Sequence, residues 1–209
     1  MKDRSQIPKA TAKRLPLYYR FLKSLSDAGV IRVSSVEISE SLQIDPATIR
    51  RDFSHFGALG KKGYGYSVLY LLEYFAEVLH QNEDKSVILV GVGHLGSALI
   101  RHNYEGLKQH GRICMGFDVH ISEPMIGEIP IYHMDFLEEK IRAQQIEVAI
   151  LTVPQAQAYP VALRLVNAGI RGILNFTSSR LNLPNVIIHD IDLTQELQFL
   201  LYLLTHYRV

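Results

Sequence analysis

The run Val87-Ile88-Leu89-Val90 leads directly into Gly91-Val92-Gly93-His94-Leu95-Gly96, and Ser97-Ala98-Leu99-Ile100 follows. Four successive apolar residues suit a strand buried on both faces. A G-x-G-x-x-G at the end of such a strand, opening an amphipathic segment, predicts strand, tight turn and helix in close contact. Gly91 permits the turn, Gly93 lets a backbone approach a pyrophosphate, and Gly96 lets helix and strand close on each other. Phosphates would then lie on the helix N–H groups, where the macrodipole favours an anion, with Val92, His94 and Leu95 beside them. The next apolar run, Ile113 to Phe117, ends in Asp118, 22 residues beyond Gly96, where an acid for the ribose is expected. A carboxylate accepts a hydrogen bond from a 2′-hydroxyl but repels a 2′-phosphate, so the expected cofactor is NADH/NAD+ and not its phosphorylated counterpart.

From Val87 onward, short β runs at 87–91, 113–118, 129–132, 148–153, 172–176 and 186–192 alternate with helical stretches. That order predicts an α/β fold with a Rossmann-like parallel sheet. Ligands of such sheets bind beyond the carboxyl ends of the strands. Thr152, Val153, Pro154, Asn175 and Phe176 are therefore expected to hold the nicotinamide half. Residues 85–193 form the dinucleotide domain in this reading, and 194–209 a terminal helix. Leu197, Phe199, Leu200, Leu201, Tyr202, Leu203 and Leu204 make that helix apolar nearly all round, which suits burial against a second copy.

The polar run Gln81 to Lys85 marks a linker, and residues 1–82 upstream of it read as a winged helix-turn-helix. Leu15, Tyr18, Tyr19, Leu22 and Leu25 lie on one stripe of a helix from about Thr11 to Ala28. Ser34 and Glu37 have capping-box spacing for a second helix, and Asp45-Pro46 supplies N-cap and first residue of a third. Ile49, Phe53 and Phe56 bury one face of that third helix. Ala47, Thr48, Arg50, Arg51, Ser54 and His55 are then left to face a major groove, where arginine reaches guanine or phosphate. Four glycines between Gly57 and Gly65 exclude helix there and predict a hairpin wing carrying Lys61, Lys62 and Tyr64. Lys9, Lys13 and Arg14 are further candidates for phosphate contacts.

Charge agrees with this division. Residues 1–66 hold twelve Lys/Arg against six Asp/Glu, and the remainder ten against fifteen, although the whole chain carries only +1. A basic module on an acidic body suits double-stranded DNA at one end. A lone cysteine, Cys114, excludes an internal disulfide and a four-cysteine metal site and argues against a dithiol switch, and no apolar stretch approaches the length of a membrane span. A soluble cytoplasmic protein without a membrane partner is expected. A dehydrogenase needs a substrate region and a positioned acid or base. Residues 85–209 are consumed by the nucleotide fold itself, so the expectation is no enzyme, no catalytic residue and no metal. A small NAD-dependent oxidoreductase fused to a regulatory domain is the alternative. Another is a winged-helix regulator responding to a different nucleotide, such as a CoA derivative.

Ile7-Pro8-Lys9-Ala10-Thr11, Ala47 to Ser54, Phe56-Gly57 with Gly63 to Tyr66, the Gly91 loop, Leu151 to Pro154, Gly172 to Phe176 and Asp192-Leu193-Thr194 together resemble the motifs of the Rex family of redox-sensing transcriptional repressors. The resemblance spans nearly the whole chain. It implies a homodimer on a palindromic operator, a terminal helix swapped onto the partner, and repression of fermentative and respiratory genes that NADH relieves. It also implies a switch network in which Arg20 and Asp192 take part. His94 stands where the family usually has Asn, His120 where an acid is common, Ser178 where proline is usual and His55 where tyrosine is. The family's tyrosine after the first Rossmann helix has two candidate matches, His102 and Tyr104.

Overall fold

In the computed structural model, which describes residues 7–57, 59–61, 64–79, 85–102 and 111–207, the chain divides into two units, Met1–Glu83 and Asp84–Val209.

The first unit begins with α1 (Lys9–Asp27), whose stripe of Leu15, Tyr18 and Leu22 is buried. Helix α2 (Ser35–Leu42) starts on the expected capping box. Ser34 Oγ accepts from Glu37 N at 3.2 Å, and Glu37 Oε2 accepts from Ser34 N at 2.7 Å. Helix α3 (Pro46–Ser54) starts on Asp45, whose Oδ1 accepts from Ala47 N and Thr48 N. Each such cap contributes about 1 kcal/mol, because it satisfies amide donors that the first helical turn leaves unpaired. Strands β2 (Gly60–Lys61) and β3 (Gly65–Ser67) make the wing, and Ser67 caps α4 (Val68–Val78). The sequence did not predict β1 (Arg32–Val33), which pairs with β3 on its other edge to give the antiparallel order β1-β3-β2. Phe53 sits at the centre of this core, with Tyr18, Tyr66 and Phe75 packed against it edge-on at ring separations of 4.9 to 5.4 Å.

The second unit is built on a sheet of β4 (Ser86–Val90), β5 (Arg112–Asp118), β6 (Met125–Ile126), β7 (Ile129–His133), β8 (Val148–Leu151), β9 (Gly172–Asn175) and β10 (Ile187–Asp190). Their order is β10-β9-β8-β4-β5-β7-β6, all neighbours parallel except the β6-β7 hairpin at one edge. The order runs one way from β4 through β5 to β7 and the other way from β8 through β9 to β10. This is the doubly wound arrangement, and its crevice opens where β4 and β8 lie side by side. Helix α5 (His94–His102) leaves the glycine loop, and its Ile100 packs against Leu89, Ile113 and Ile131 on one face of the sheet. Helices α6 (Leu137–Gln144) and α7 (Gln155–Ala168) cover the other face through Leu137, Ile141, Ala162 and Leu165. The last element, α8 (Leu193–His206), has no buried residue within its own chain.

Candidate functional site

The glycine loop is shaped from both sides. Gly91 adopts φ +100°, and a Cβ on it would press within 2.7 to 2.8 Å of the Thr152 carbonyl and Val153 N. A Cβ on Gly96 would collide with the Gly91 carbonyl oxygen. Only Gly93 faces open space, where a Cβ would meet nothing within 4 Å. Gly91 thus permits the turn and Gly96 the close packing of helix on loop, and the open side of Gly93 leaves room for a ligand to approach.

Two side chains fasten the loop. Asp118, at the carboxyl end of β5, accepts from Val92 N at 2.6 Å through Oδ2 and from His120 N at 2.9 Å through Oδ1. Thr152 Oγ1 lies 2.7 Å from the Gly91 carbonyl and 3.1 Å from that of Val90, tying the end of β8 to the loop. Asp118 therefore caps the loop, and each carboxylate oxygen retains a lone pair for a ribose hydroxyl.

Cavities lie on both sides of this loop. One of about 350 Å³ is lined by Gly91, Phe117, Asp118, Val119, Met134, Val153, Pro154, Gln157 and Val161. The other, of about 280 Å³, touches Val92, Gly93, His94, Ser97, Arg101, His120 and Glu123. In the second, the Arg101 guanidinium is already paired with Glu123 at 2.6 Å. The first is mainly apolar in its walls, with the Asp118 carboxylate at the rim where a ribose hydroxyl could meet it. The residues present therefore fit a dinucleotide laid across the open face of Gly93. Leu95 is exposed on α5 and lines neither cavity, and Thr152 and Phe176 also lie outside both walls.

Asn175 requires a correction. It was expected to contact the nicotinamide, but it is fully buried, and its amide is spent on Ser179, Asp190 and Thr177. Four hydrogen bonds satisfy a carboxamide completely, so no donor or acceptor is left for a ligand. Of the alternatives for the family's tyrosine, His102 ends α5 exposed, whereas Tyr104 lies outside the described residues. Cys114 is half-buried, and burial pushes its thiol up, away from the reactive thiolate.

In the first unit, Ala47, Arg50, Arg51 and Ser54 are exposed on α3, with Thr48 and His55 half-buried beside them. Arg50 Nη1 donates to Ser35 Oγ at 3.0 Å, which steadies one arginine against the start of α2. Lys9 and Lys13 are exposed on α1. Tyr64 is exposed at the wing, while Lys62 and the side chain of Lys61 lie outside the described residues. Sequence reasoning missed Arg32 on β1, which donates to the Tyr64 carbonyl at 3.1 Å and stacks 5.3 Å over its ring. Nothing local to Arg32 signals that pairing.

Arg14 is the second correction. Its guanidinium turns inward to Asp52 of α3, with Nε at 2.6 Å from Oδ2 and Nη2 at 2.7 Å from Oδ1. Thr11 Oγ1 and Tyr18 OH also donate to that carboxylate, at 2.8 and 2.7 Å. A charge committed to a buried carboxylate is not available to a phosphate, so Arg14 joins the two helices instead. Burial pushes the Asp52 carboxyl up, but the hydrogen bonds from Arg14, Tyr18 and Thr11 outweigh it and hold the group below its ordinary value. Burial and the same carboxylate push the Tyr18 phenol well up. Of the expected switch residues, Arg20 is exposed on α1, and Asp192 caps α8 by accepting from Thr194 N and Gln195 N.

No described helix is long and apolar enough to cross a membrane. Among the described residues, no group of three or more His, Cys, Asp or Glu side chains is placed to hold a metal.

Residues 6–54 match the family description "Putative DNA-binding protein N-terminus", and residues 82–179 match "CoA binding domain". The redox-sensing transcriptional repressor Rex of Bacillus pumilus is 55% identical over 212 residues, covering 99% of this chain and 97% of that protein. Among solved structures, RSP in complex with β-NAD+ and operator DNA superposes with a TM-score of 0.88 at 32% identity, covering 95% of this chain and 93% of that one. RSP in complex with β-NADH gives 0.84 at 30% identity, with coverage of 96% and 95%.

Proposed function

The chain belongs to the Rex family of redox-sensing transcriptional repressors, and from that premise we propose that it holds NADH and NAD+ at Gly91–Gly96 and Asp118 and converts their ratio into release or retention of operator DNA. One observation carries the reading: Gly93 is open above a loop already formed and fastened, with Asp118 at its edge, in a chain whose other unit exposes Arg50 and Arg51 on a capped helix. The bound dinucleotide supplies a signal, a ring that is neutral when reduced and cationic when oxidised. A closed apolar site penalises burial of the cation more than of the neutral ring. Gly91, Val92, Gly93, His94 and Leu95 with Gly96 would carry the pyrophosphate, Asp118 the ribose, and Thr152, Val153, Pro154 and Phe176 the far half of the crevice.

On the DNA side, Ala47, Thr48, Arg50, Arg51, Ser54 and His55 would face the major groove, and Lys9, Lys13 and the wing residues Lys61, Lys62 and Tyr64 the backbone. Domains at 1–82 and 85–193, with a dimerisation helix from 194, are the division this reading uses. Seven apolar side chains of α8 are roughly half exposed: Leu193, Leu197, Phe199, Leu200, Leu201, Tyr202 and Leu204. Covering them at about 1 kcal/mol each amounts to roughly 7 kcal/mol per copy. A homodimer joined through this helix would set two recognition helices on the half-sites of a palindrome. Arg20 and Asp192 would serve as switch residues, and the place of work would be the cytoplasm, where DNA and dinucleotide meet.

The test is operator binding by fluorescence anisotropy across NADH:NAD+ ratios at fixed total dinucleotide. Affinity is expected to fall as NADH replaces NAD+. By linkage, operator DNA must weaken NADH binding by the same factor, of order 5- to 150-fold for ordinary couplings. Equal effects of NADH and NAD+ would refute the sensor reading and leave the fold intact.

A further inference from the structure

Asn175 ends β9 with no exposed surface and every hydrogen-bonding position of its amide in use. Nδ2 donates to the Ser179 carbonyl at 2.8 Å and to Asp190 Oδ1 at 2.7 Å. Oδ1 accepts from Thr177 N at 3.0 Å and Thr177 Oγ1 at 2.7 Å. The backbone repeats the tie, with Ile191 N donating to the Asn175 carbonyl at 2.8 Å.

These bonds have two ends. Toward the cleft, Ser179 Oγ donates to the Gln155 carbonyl at 3.3 Å, and Gln155 opens α7 directly after the cavity residues Val153 and Pro154, with Gln157 of that first turn also in the wall. In the other direction, Asp190 ends β10 two residues before Asp192, the cap of α8. A single buried amide therefore spans the loop beside the crevice and the strand end that launches the terminal helix. Asn suits this position because it supplies two donors and an acceptor with two lone pairs. A satisfied network of this kind rigidifies what it joins.

We propose that Asn175 and Asp190 are positioning residues that couple the dinucleotide cleft to the head of α8, so that the 176–179 loop and the start of the helix move as one piece. The inference rests on the sensor reading given under Proposed function. It assigns Asn175 no contact with the dinucleotide and Asp190 none with DNA. Removing the Asp190 side chain deletes the side-chain half of this tie and leaves the backbone half, which loosens the helix head from the loop without touching either binding surface.

Asp190 is exposed, so its substitution leaves the apolar core packed and removes only the acceptor of one Asn175 Nδ2–H. Asp190→Ala deletes the acceptor, whereas Asp190→Asn keeps an acceptor oxygen without the charge. Three quantities are measured on the full chain: NADH affinity from nicotinamide fluorescence, operator affinity without dinucleotide, and operator affinity at saturating NADH. For Asp190→Ala the first two should stay within about twofold of the parent, while the NADH-driven loss of operator affinity shrinks by about threefold or more. Asp190→Asn should restore most of that response, while the retained NADH and operator affinities of Asp190→Ala separate lost coupling from a general loss of stability. Full coupling in Asp190→Ala, a tenfold loss of its NADH affinity, or an Asn variant as defective as the Ala variant overturns the inference. A parent protein with no NADH response refutes instead the sensor reading on which the inference depends.

Discussion

Asp52→Asn removes one charge from the junction of α1 and α3 and leaves the side-chain shape almost unchanged. The parent carboxylate is 1% exposed and accepts four hydrogen bonds, two from the Arg14 guanidinium and one each from Tyr18 and Thr11. An amide offers one acceptor where the site has two oxygens, and it turns a donor toward groups that also donate. Breaking a buried ion pair from one side costs about 3–5 kcal/mol. The Arg14 side chain keeps 26% of its surface, so water recovers part of its charge and the expected loss falls to about 2–4 kcal/mol. For a unit of this size, each kcal/mol lowers the melting midpoint by roughly 4–8 °C, so a drop of about 10 °C or more is expected in the transition of the first unit. Scanning calorimetry with urea unfolding as a check measures it. The pH dependence gives a second reading. The folded Asp52 carboxyl lies below its ordinary value of 3.8. Its stabilisation is therefore complete above that value and lost as pH falls through the lower folded one, a loss the variant should not show. A variant that melts within about 3 °C of the parent would refute the argument that this carboxylate holds the recognition helix in place.

Lys13→Ala should lower the slope of log operator affinity against log salt by about one, the signature of a lost phosphate contact. Arg14→Met should leave the slope unchanged while lowering the melting midpoint, and a reduced slope would return Arg14 to the DNA surface. Gly96→Ala, whose Cβ would meet the Gly91 carbonyl, should weaken NADH binding by about tenfold or more through displacement of the helix start from the loop, with operator binding retained. Titration calorimetry showing parent-like affinity would contradict the packing role. Leu200→Glu combined with Leu204→Glu, both on α8 and more than half exposed, should convert the protein to a monomer by analytical ultracentrifugation. An unchanged dimer would place the association surface elsewhere.

Features whose determinants lie within a few residues were legible before any coordinates. The Ser34–Glu37 box and the Asp45-Pro46 start carry cause and effect within a few positions, the glycine loop shows its spacing though not the Asp118 and Thr152 that fasten it, and the parallel strands announce themselves by continuous apolar runs. Arg14 was misread because its partner lies 38 residues away. From sequence alone, an arginine on a basic helix looks like a phosphate ligand. Asn175 was misread for a related reason. A polar residue at a strand end resembles a ligand contact until the neighbouring strand brings Asp190 against it. β1 and β6, of two residues each, carry no periodicity to detect, and they exist because β3 and β7 offer them an edge.

The Val92–Asp118 hydrogen bond bears on how quickly the molecule can answer a change in its surroundings. Because Asp118 and Thr152 already fasten the glycine loop, a dinucleotide held there, as proposed above, would not have to wait for that loop to fold on arrival, nor melt it on departure. In that reading, occupancy would follow the free concentrations of the two redox forms in both directions, without the lag and hysteresis of a loop that must be rebuilt at every exchange.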